Sequence, residues 1–411
     1  MEADRRSPRV IVVGAGPAGA LLAFLLARRG LEVTLIERAR DFAREFRGEV
    51  LMPSGLEALD QTGLWPEVDA VPHVVLRAVE LYLDGARRLR QELPEEVFGR
   101  FQPRWMSQPA LLEMLVAQAQ RHRGFRLERG TAVRALVEEG GRIRGVQAHG
   151  PDGERELRAD LVVGADGRTS TVRRRAGLPE RADRVPIDVV WCRLPRPDFL
   201  AGDASLRAYL GSGHFLIAAP VYGDALQIAW IIPKGAYGEL RARGLPEWLD
   251  AMAAHVSPDL AAHLRSHRGD AAHPFLLSTV SDRALAWTRP GLLVIGDAAH
   301  TMSPVGAQGI NVAIRDALEA ANELVPALCA GADPAALDAA CRRVEALRGP
   351  EVREIQRLQA LPPRILLRRG PLARLALRAF VRLLGSDIAR ARGGRVFRRF
   401  AFGVTPVRLR A

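Results

Sequence analysis

Residues 10–37 constrain this chain more than any other stretch. Val10-Ile11-Val12-Val13 is an apolar run that leads straight into Gly14-Ala15-Gly16-Pro17-Ala18-Gly19, a G-x-G-x-x-G turn. Ala20 to Arg29 has helical character, Gly30 breaks it, and a second strand, Val33-Thr34-Leu35-Ile36, ends on Glu37. The first glycine permits a tight turn, the second lets the backbone approach a pyrophosphate, and the third lets helix and strand pack closely. The acid about twenty positions on takes ribose hydroxyls. A lone G-x-G-x-x-G is weak evidence. Set in strand, turn, helix, strand and acid, it commits the chain to an α/β fold and to a dinucleotide. Gly14, Gly16, Ala18 and Gly19 are then at the pyrophosphate, and Glu37 and Arg38 at the ribose.

Two later stretches repeat the pattern of a buried strand that ends in a polar turn. Leu161-Val162-Val163 runs into Gly164-Ala165-Asp166-Gly167-Arg168, with Ser170, Val172 and Arg173 behind it. Leu292-Leu293-Val294-Ile295 has the length of a fully buried parallel strand and stops at Gly296-Asp297. A carboxylate at the carboxyl edge of such a sheet can accept hydrogen bonds from a ligand's hydroxyls. Pro304-Val305-Gly306-Ala307-Gln308-Gly309 then leads into Ile310-Asn311-Val312 and a helix to about Leu328. A glycine-rich helix start turns backbone N–H groups toward a ligand and favours negative charge there, so the ligand should gain negative charge as it works.

Together the three stretches resemble, in order and spacing over residues 8–345, the flavoprotein monooxygenases of the para-hydroxybenzoate hydroxylase type, the single-component FAD hydroxylases. The resemblance implies a Rossmann-like FAD-binding domain of the para-hydroxybenzoate hydroxylase/glutathione reductase type, discontinuous over 1–75, 101–180 and 276–345. An antiparallel β-sheet substrate domain would occupy 76–100 and 181–275, with a basic helical C-terminal region over 346–411. It implies that the first turn holds the ADP pyrophosphate, that Asp166-Gly167 borders FAD and the nicotinamide path, and that Asp297, with Gly296 and His300, binds the ribityl chain. Gly306, Gln308, Gly309, Ile310 and Asn311 match the cofactor-binding helix start. Pro304 would lie against the ring, and the N-terminus at Gly309 would stabilise the anionic reduced flavin. Arg47, followed by Gly48, looks like the family's flavin-side arginine. Gln108 sits where the family has a polar FAD contact, and Val133 where its backbone meets adenine.

The same resemblance implies the chemistry. NADH or NADPH would reduce FAD, dioxygen would form a flavin hydroperoxide, and its distal oxygen would pass to an electron-rich, lipophilic aromatic or quinone-like small molecule, hydroxylating or epoxidising it. The cofactor carries the hard chemistry, and the protein positions, polarises and excludes water. With one dinucleotide fingerprint in the chain, the nicotinamide donor would bind transiently, without a Rossmann domain of its own.

Residues 180–280 differ in texture. Val189–Leu194, Leu206–Leu210, His214–Pro220 and Leu226–Pro233 are short strands at regular spacing with glycine turns, the signature of an antiparallel sheet. This sheet should roof the flavin, which makes Tyr209, His214, Phe215, Tyr222 and Trp230 candidate liners of the substrate pocket. His214 is the catalytic candidate, because an imidazole can shuttle a phenolic proton near neutral pH. Two rival enzymes share the fold. Flavin halogenases carry Trp-x-Trp-x-Ile-Pro and a lysine in the first third, whereas here Ile228 replaces the first Trp and Lys234 is the one lysine. Prenyl-lipid reductases carry Tyr-x-Trp-x-Phe-Pro, matched here at Trp230 and Pro233 alone. A non-enzymatic flavin scaffold or redox sensor would show slow flavin reduction and no substrate-stimulated oxygen uptake.

At 411 residues and 48% hydrophobic content the chain can bury a large core, enough for two domains and a tail. Residues 1–8 do not read as a secretory signal, and the apolar runs fall short of the roughly 20 residues of a spanning helix. Cys192, Cys329 and Cys341 show no metal or redox spacing, and the nine histidines form no metal pattern, so reduced cysteines, no metal and a cytoplasmic setting are expected. The net charge of +12 sits entirely in 364–411, where thirteen arginines face one acid, Asp387. Without aromatic interleaving or a recognition motif, this is no nucleic-acid partner. Pro362-Pro363 and Gly370-Pro371 punctuate the tail. Leu372–Leu384 reads as a helix with Arg374, Arg378 and Arg382 on one stripe. It either packs on the body or makes a peripheral contact with an anionic membrane face.

Overall fold

The computed structural model describes residues 7–43, 49–183, 185–211, 213–267, 274–366, 370–384 and 398–411. Its nucleotide sheet has the strand order Thr288–Arg289, Leu292–Val294, Leu161–Gly164, Arg9–Val13, Glu32–Glu37, Phe125–Arg129. All neighbours run parallel except the edge strand Thr288–Arg289. The three strands that carry the polar turns are therefore adjacent. Gly164 stands level with Val13 on one side and Val294 on the other, so the three turns emerge side by side at the carboxyl edge. Helix α1 (Pro17–Ala27) is buried from Ala18 to Ala27. Its apolar residues run all round because α2 (Gln108–Gln120) and, later, a second long helix cover the side away from the sheet.

The second sheet has seven strands in the order Phe275–Leu277, Ile187–Pro195, Ala225–Pro233, His214–Val221, Ser205–Gly211, Ala78–Leu83, Ala86–Glu92. Its neighbours are antiparallel apart from Ser205–Gly211 with Ala78–Leu83. One face packs under α3 (Tyr237–Arg243), α4 (Leu245–Ala253) and α5 (Pro258–Ser266), burying Val190, Cys192, Leu216, Ile228 and Trp230. The other face buries Val189, Trp191, Ala219, Ala229 and Ile231 with Val50, Met52 and Trp105 of the first half of the chain. Because both faces are covered, the strands read as nearly continuous apolar runs instead of alternating ones.

α6 (Gln308–Cys329) lies on α1 and on α7 (Pro334–Leu366). α7 runs through position 346 and through Pro362-Pro363, so no element ends where the basic region was expected to begin, and the two prolines do not stop the helix. Proline in a helix removes a hydrogen bond and bends it without having to terminate it. α7 ends at Leu366, and Gly370, φ 106, stands ahead of α8 (Pro371–Leu384). α8 buries Leu377 and Val381 against Leu83 and Leu210, and Arg378 pairs with Asp84 at 2.7 Å. The side chains of Arg374 and Arg382 lie outside those described. Residues 398–411 return to the nucleotide half: Arg410 N–H donates to Asn322 Oδ1 at 2.6 Å and Leu409 N–H to Gln61 Oε1 at 2.8 Å. No helix among the described residues is long and apolar enough to cross a membrane.

Candidate active site

At Gly14 the backbone has φ +100, and a Cβ there would lie 2.4 Å from the Ala165 carbonyl oxygen. At Gly19 it would lie 1.9 Å from the Gly14 carbonyl oxygen. Both positions need glycine. Gly16 differs: it is the extended residue that opens α1, Pro17 takes the first helical place, and nothing stands within 4 Å of where its Cβ would be. That open space lies at a helix N-terminus whose first N–H groups lack partners within the helix, the arrangement a pyrophosphate fits. Glu37 is buried, and its carboxylate accepts the N–H groups of Ala15 and Ala39, each at 2.9 Å. It therefore shapes the turn as well as standing at the ribose position. Thr131 N–H donates to the Glu37 carbonyl at 3.0 Å, which brings the strand containing Val133 alongside, while Arg38 is exposed.

The Asp166 carboxylate accepts the N–H groups of Thr171 at 2.7 Å and Val172 at 3.1 Å and the hydroxyl of Ser170. It caps a short helix, and Gly167, φ +82, faces open space. Arg173 ties this turn to the third one through the Ala298 carbonyl at 3.2 Å. At Gly296, φ +58, a Cβ would come within 3.0 Å of Ala18 Cβ, so the Gly-Asp turn rests on the first turn of α1. Asp297 Oδ1 lies 3.9 Å from where a Gly309 Cβ would be. The structure thus brings Gly14 to Gly19, Asp166-Gly167, Asp297 and Gly309 to one place.

His300 does not join them. It is buried, its Nε2 lies 2.6 Å from Asp316 Oδ2, and that oxygen also accepts Gly296 N–H at 3.1 Å. Arg348 Nε reaches the other Asp316 oxygen at 2.8 Å, and Arg348 and Arg315 both pair with Glu351. Burial pushes the Asp316 carboxyl up, but His300 and Arg348 outweigh it and hold the group below the usual carboxylate range. The expected ribityl role for His300 is corrected: its side chain serves the network that supports Gly296.

The loop from Ser303 to Gly309 is held from three sides. Asn311, fully buried, accepts Met52 N–H at 2.9 Å and donates to the carbonyls of Val50 at 3.1 Å and Ala307 at 2.6 Å. Gln308 donates to the carbonyls of Gly306 and Phe400, both at 2.8 Å. Gln359 of α7 donates to Ser303 O at 2.8 Å and Val305 O at 2.7 Å. Gly306 and Ala307 take left-handed conformations, φ 72 and 53, that turn the chain into α6. The side chains of Gln308 and Asn311 thereby brace the loop, which leaves their backbone for a contact with the cofactor. What the loop presents is backbone: the N–H groups of Gln308, Gly309 and Ile310 at the start of α6, with Pro304 partly exposed beside them.

On the second sheet, alternation decides which side chains face this loop. Tyr209, His214 and Trp230 point to the face under α3–α5, whereas Phe215 and Tyr222 pack with Val50, Met52 and Ala307. His214 stacks on His255 with ring centroids 3.6 Å apart, and burial together with His255 pushes it down to about 4. The catalytic expectation for His214 is therefore corrected: it is uncharged near neutral pH and stands on the far face of the sheet. Arg47 lies outside the described residues.

The titratable group on the near side is one the motifs do not mark. Glu49, 2% exposed, accepts the Tyr222 hydroxyl at 2.9 and 3.1 Å and the backbone N–H of Gln108 at 3.4 Å. Burial pushes its carboxyl up to about 7, against the opposing pull of Tyr222, Gln108 and Arg193. Tyr222 is pushed up to about 12 by burial and by Glu49, and the Arg193 guanidinium sits 4.8 Å over its ring. Gln108 thus enters through its backbone. An acid squeezed between Arg47-Gly48 and Val50-Leu51-Met52 was the available signal.

A family model described as FAD binding domain matches residues 8–348, and the chain belongs to this family, the FAD-binding monooxygenases of the para-hydroxybenzoate hydroxylase type. Over its whole length it is 35% identical to 6-methylpretetramide 4-monooxygenase of Streptomyces rimosus, 96% of which it covers. It is 31% identical to 3-amino-4-hydroxybenzoate 2-monooxygenase of Streptomyces cremeus, with 86% of each chain covered. A crystal structure of P. aeruginosa PqsL with 2-aminobenzoylacetate superposes with a TM-score of 0.77 at 25% identity, over 88% of this chain and 97% of that one. The protein is an FAD-dependent monooxygenase, and NAD(P)H is the electron donor typical of its class. Its residues fit FAD: the space at Gly16 and the N-terminus of α6 lie at the same sheet edge, joined by the Gly-Asp turn.

Proposed function

We propose that this enzyme hydroxylates an electron-rich, largely apolar aromatic of the polyketide or quinone kind, using NADH or NADPH and dioxygen. The supporting observation is the near face of the second sheet, where the half-buried Phe215, Ile217, Phe275 and Leu277 offer apolar contact over the core around Trp191 and the Glu49–Tyr222 pair stands at the hairpin end. The full-length likeness to 6-methylpretetramide 4-monooxygenase favours a fused aromatic over a small phenol. Bound FAD would take two electrons from NADH or NADPH and activate dioxygen with them. The protein's part begins with the substrate hydroxyl. Tyr222 Oη takes its proton while passing its own to Glu49, which raises electron density on the ring to be attacked. The N-terminus of α6 favours negative charge beside the loop, and the apolar wall excludes water.

The test is NADH and NADPH oxidation by the FAD-loaded protein, with oxygen uptake and peroxide followed, over phenols, quinolones, quinones, fused polyketide aromatics and prenyl lipids. A fused aromatic that speeds flavin reduction, lowers peroxide and gains one oxygen supports the reading. A prenyl lipid that loses a double bond anaerobically, with no oxygen incorporated, overturns it in favour of a reductase. The halogenase alternative needs a reactive lysine, and Lys234 is held by Asp188 at 2.8 Å, Ser278 at 2.9 Å and the Thr279 carbonyl at 2.7 Å. A peripheral membrane contact through 364–411 would use Leu372 and Leu375, both exposed on α8. Liposome pelleting unchanged by their replacement with serine would end that idea.

A further inference from the structure

We infer that an arginine-lined cavity beside the flavin loop docks the pyrophosphate of the nicotinamide donor during flavin reduction. The cavity, about 350 Å³, is bounded by Arg181 and Arg283 on one wall, Arg353 and Arg357 of α7 on the other, and Ser303 and Gln359 at its floor. Asp183 is the acid in its lining; it takes Arg181 at 3.3 Å and Arg283 at 3.2 Å. Arg357 has Glu354 at 3.8 Å, and Arg353 has no acidic partner among the described residues. The cavity therefore holds a surplus of positive charge that suits a polyanion.

The floor asks for more than an anion. Gln359 is 1% exposed and Ser303 5%, yet Gln359 Oε1 and Ser303 Oγ have no hydrogen-bond partner. The Gln359 amide cannot be turned over to hide its oxygen, because Nε2 already donates to two carbonyls. An acceptor fixed in this way calls for an O–H or N–H from a ligand. A ligand that brings phosphates, sugar hydroxyls and an amide together is a nucleotide. FAD places its own phosphates at Gly16, so the second nucleotide is the donor, which lacks a fingerprint in this chain. Ser303 adjoins Pro304, and Gln359 grips the flavin loop on either side of it, so a phosphate held here leaves the nicotinamide one riboside away from the loop. The assignment rests on the reading that NAD(P)H reduces this flavin.

The experiment compares the FAD-loaded wild type with Arg353→Glu and with Arg353→Glu/Arg357→Glu, exposed changes that leave the cofactor site intact. Anaerobic rapid mixing with NADH and NADPH gives the limiting reduction rate and the saturation constant separately, and calorimetry with inorganic pyrophosphate reads the cavity without any turnover. The saturation constant should rise by about 10-fold in the single variant and about 100-fold in the double one, with the limiting rate unchanged. Pyrophosphate should bind the wild type and not the double variant, while free phosphate binds more weakly. Equal saturation constants in all three proteins, with the wild type readily reduced, overturn the cavity's assignment and leave the monooxygenase reading standing. A wild type that neither dinucleotide reduces overturns the donor, and this inference with it, even if pyrophosphate binds.

Discussion

Gly14, Gly16 and Gly19 meet a ligand with backbone N–H groups and with space, whereas Glu49, Tyr222 and Arg193 meet one with side chains drawn from three separated segments. The first set sits within one strand-turn-helix, where Gly14 and Gly19 leave no room for a Cβ and Gly16 keeps open the space beside the helix start. The second set exists only after the two sheets have packed together. A backbone site of this kind fixes which cofactor binds and tolerates almost no change. A site assembled from side chains can be altered one group at a time, which is how one cofactor scaffold comes to serve different substrates.

The most severe way to break the comparison is Gly19→Val. With a Cβ already 1.9 Å from the Gly14 carbonyl oxygen, FAD affinity should fall by at least about 100-fold, read from the flavin absorbance retained on purification. Normal FAD content would show that the turn yields and that the backbone site is not rigid. Next is Asp316→Asn, which strips the buried Arg348 and His300 of their shared charge and should cost about 3–5 kcal/mol in denaturant unfolding. A loss of FAD without a loss of stability would instead make the network part of the binding site.

Glu49→Gln should sharpen the other half of the comparison: kcat/KM down by about 10- to 100-fold with FAD affinity unchanged. In the wild type kcat/KM should rise through about pH 7 as Glu49 ionises, and the variant should lack that limb. Stability must run the opposite way. Burial pushes the folded carboxyl up to about 7 from its ordinary 4.5, so between these values the folded state holds a proton that the unfolded chain has released. Stability therefore falls as pH rises through that window, by roughly 3 kcal/mol, and Glu49→Gln should flatten the profile. The smallest effect belongs to His214→Ala, whose ring lies on the far face: kcat/KM should change by less than about twofold. A large drop there would mean that the helix-covered face communicates with the site.

What could be read from the amino-acid sequence follows the same division. Gly14, Gly19, Glu37 and Asp297 are set by local geometry, which spacing records directly. Alternation likewise separates His214 and Leu216 from Phe215 and Ile217, but it cannot say which set faces the cofactor, because helices cover one face as fully as the nucleotide half covers the other. That is why the amino-acid sequence alone does not show that His214 lies on the far side. Glu49 looks like an ordinary polar residue before an apolar strand, and only the arrival of Tyr222, 173 residues later, encloses it. Gln308, Asn311 and His300 were legible as belonging to the site, but not as braces, since their partners come from Met52, Phe400 and Asp316.

The Phe400 contact has a further meaning in the order of synthesis. The pyrophosphate turn is synthesised long before the parts that complete its site: the strand two places along the same sheet, Leu292–Val294, and the loop at 303–309 follow nearly three hundred residues later, and the ring of Phe400 reaches Gly306 later still. Contacts this distant in sequence form late, because loop closure must precede their reward. A nascent chain should therefore expose the buried α1 and an unfinished cofactor cleft until the residues from about 290 to 411 have appeared, and chaperone capture is to be expected during that interval.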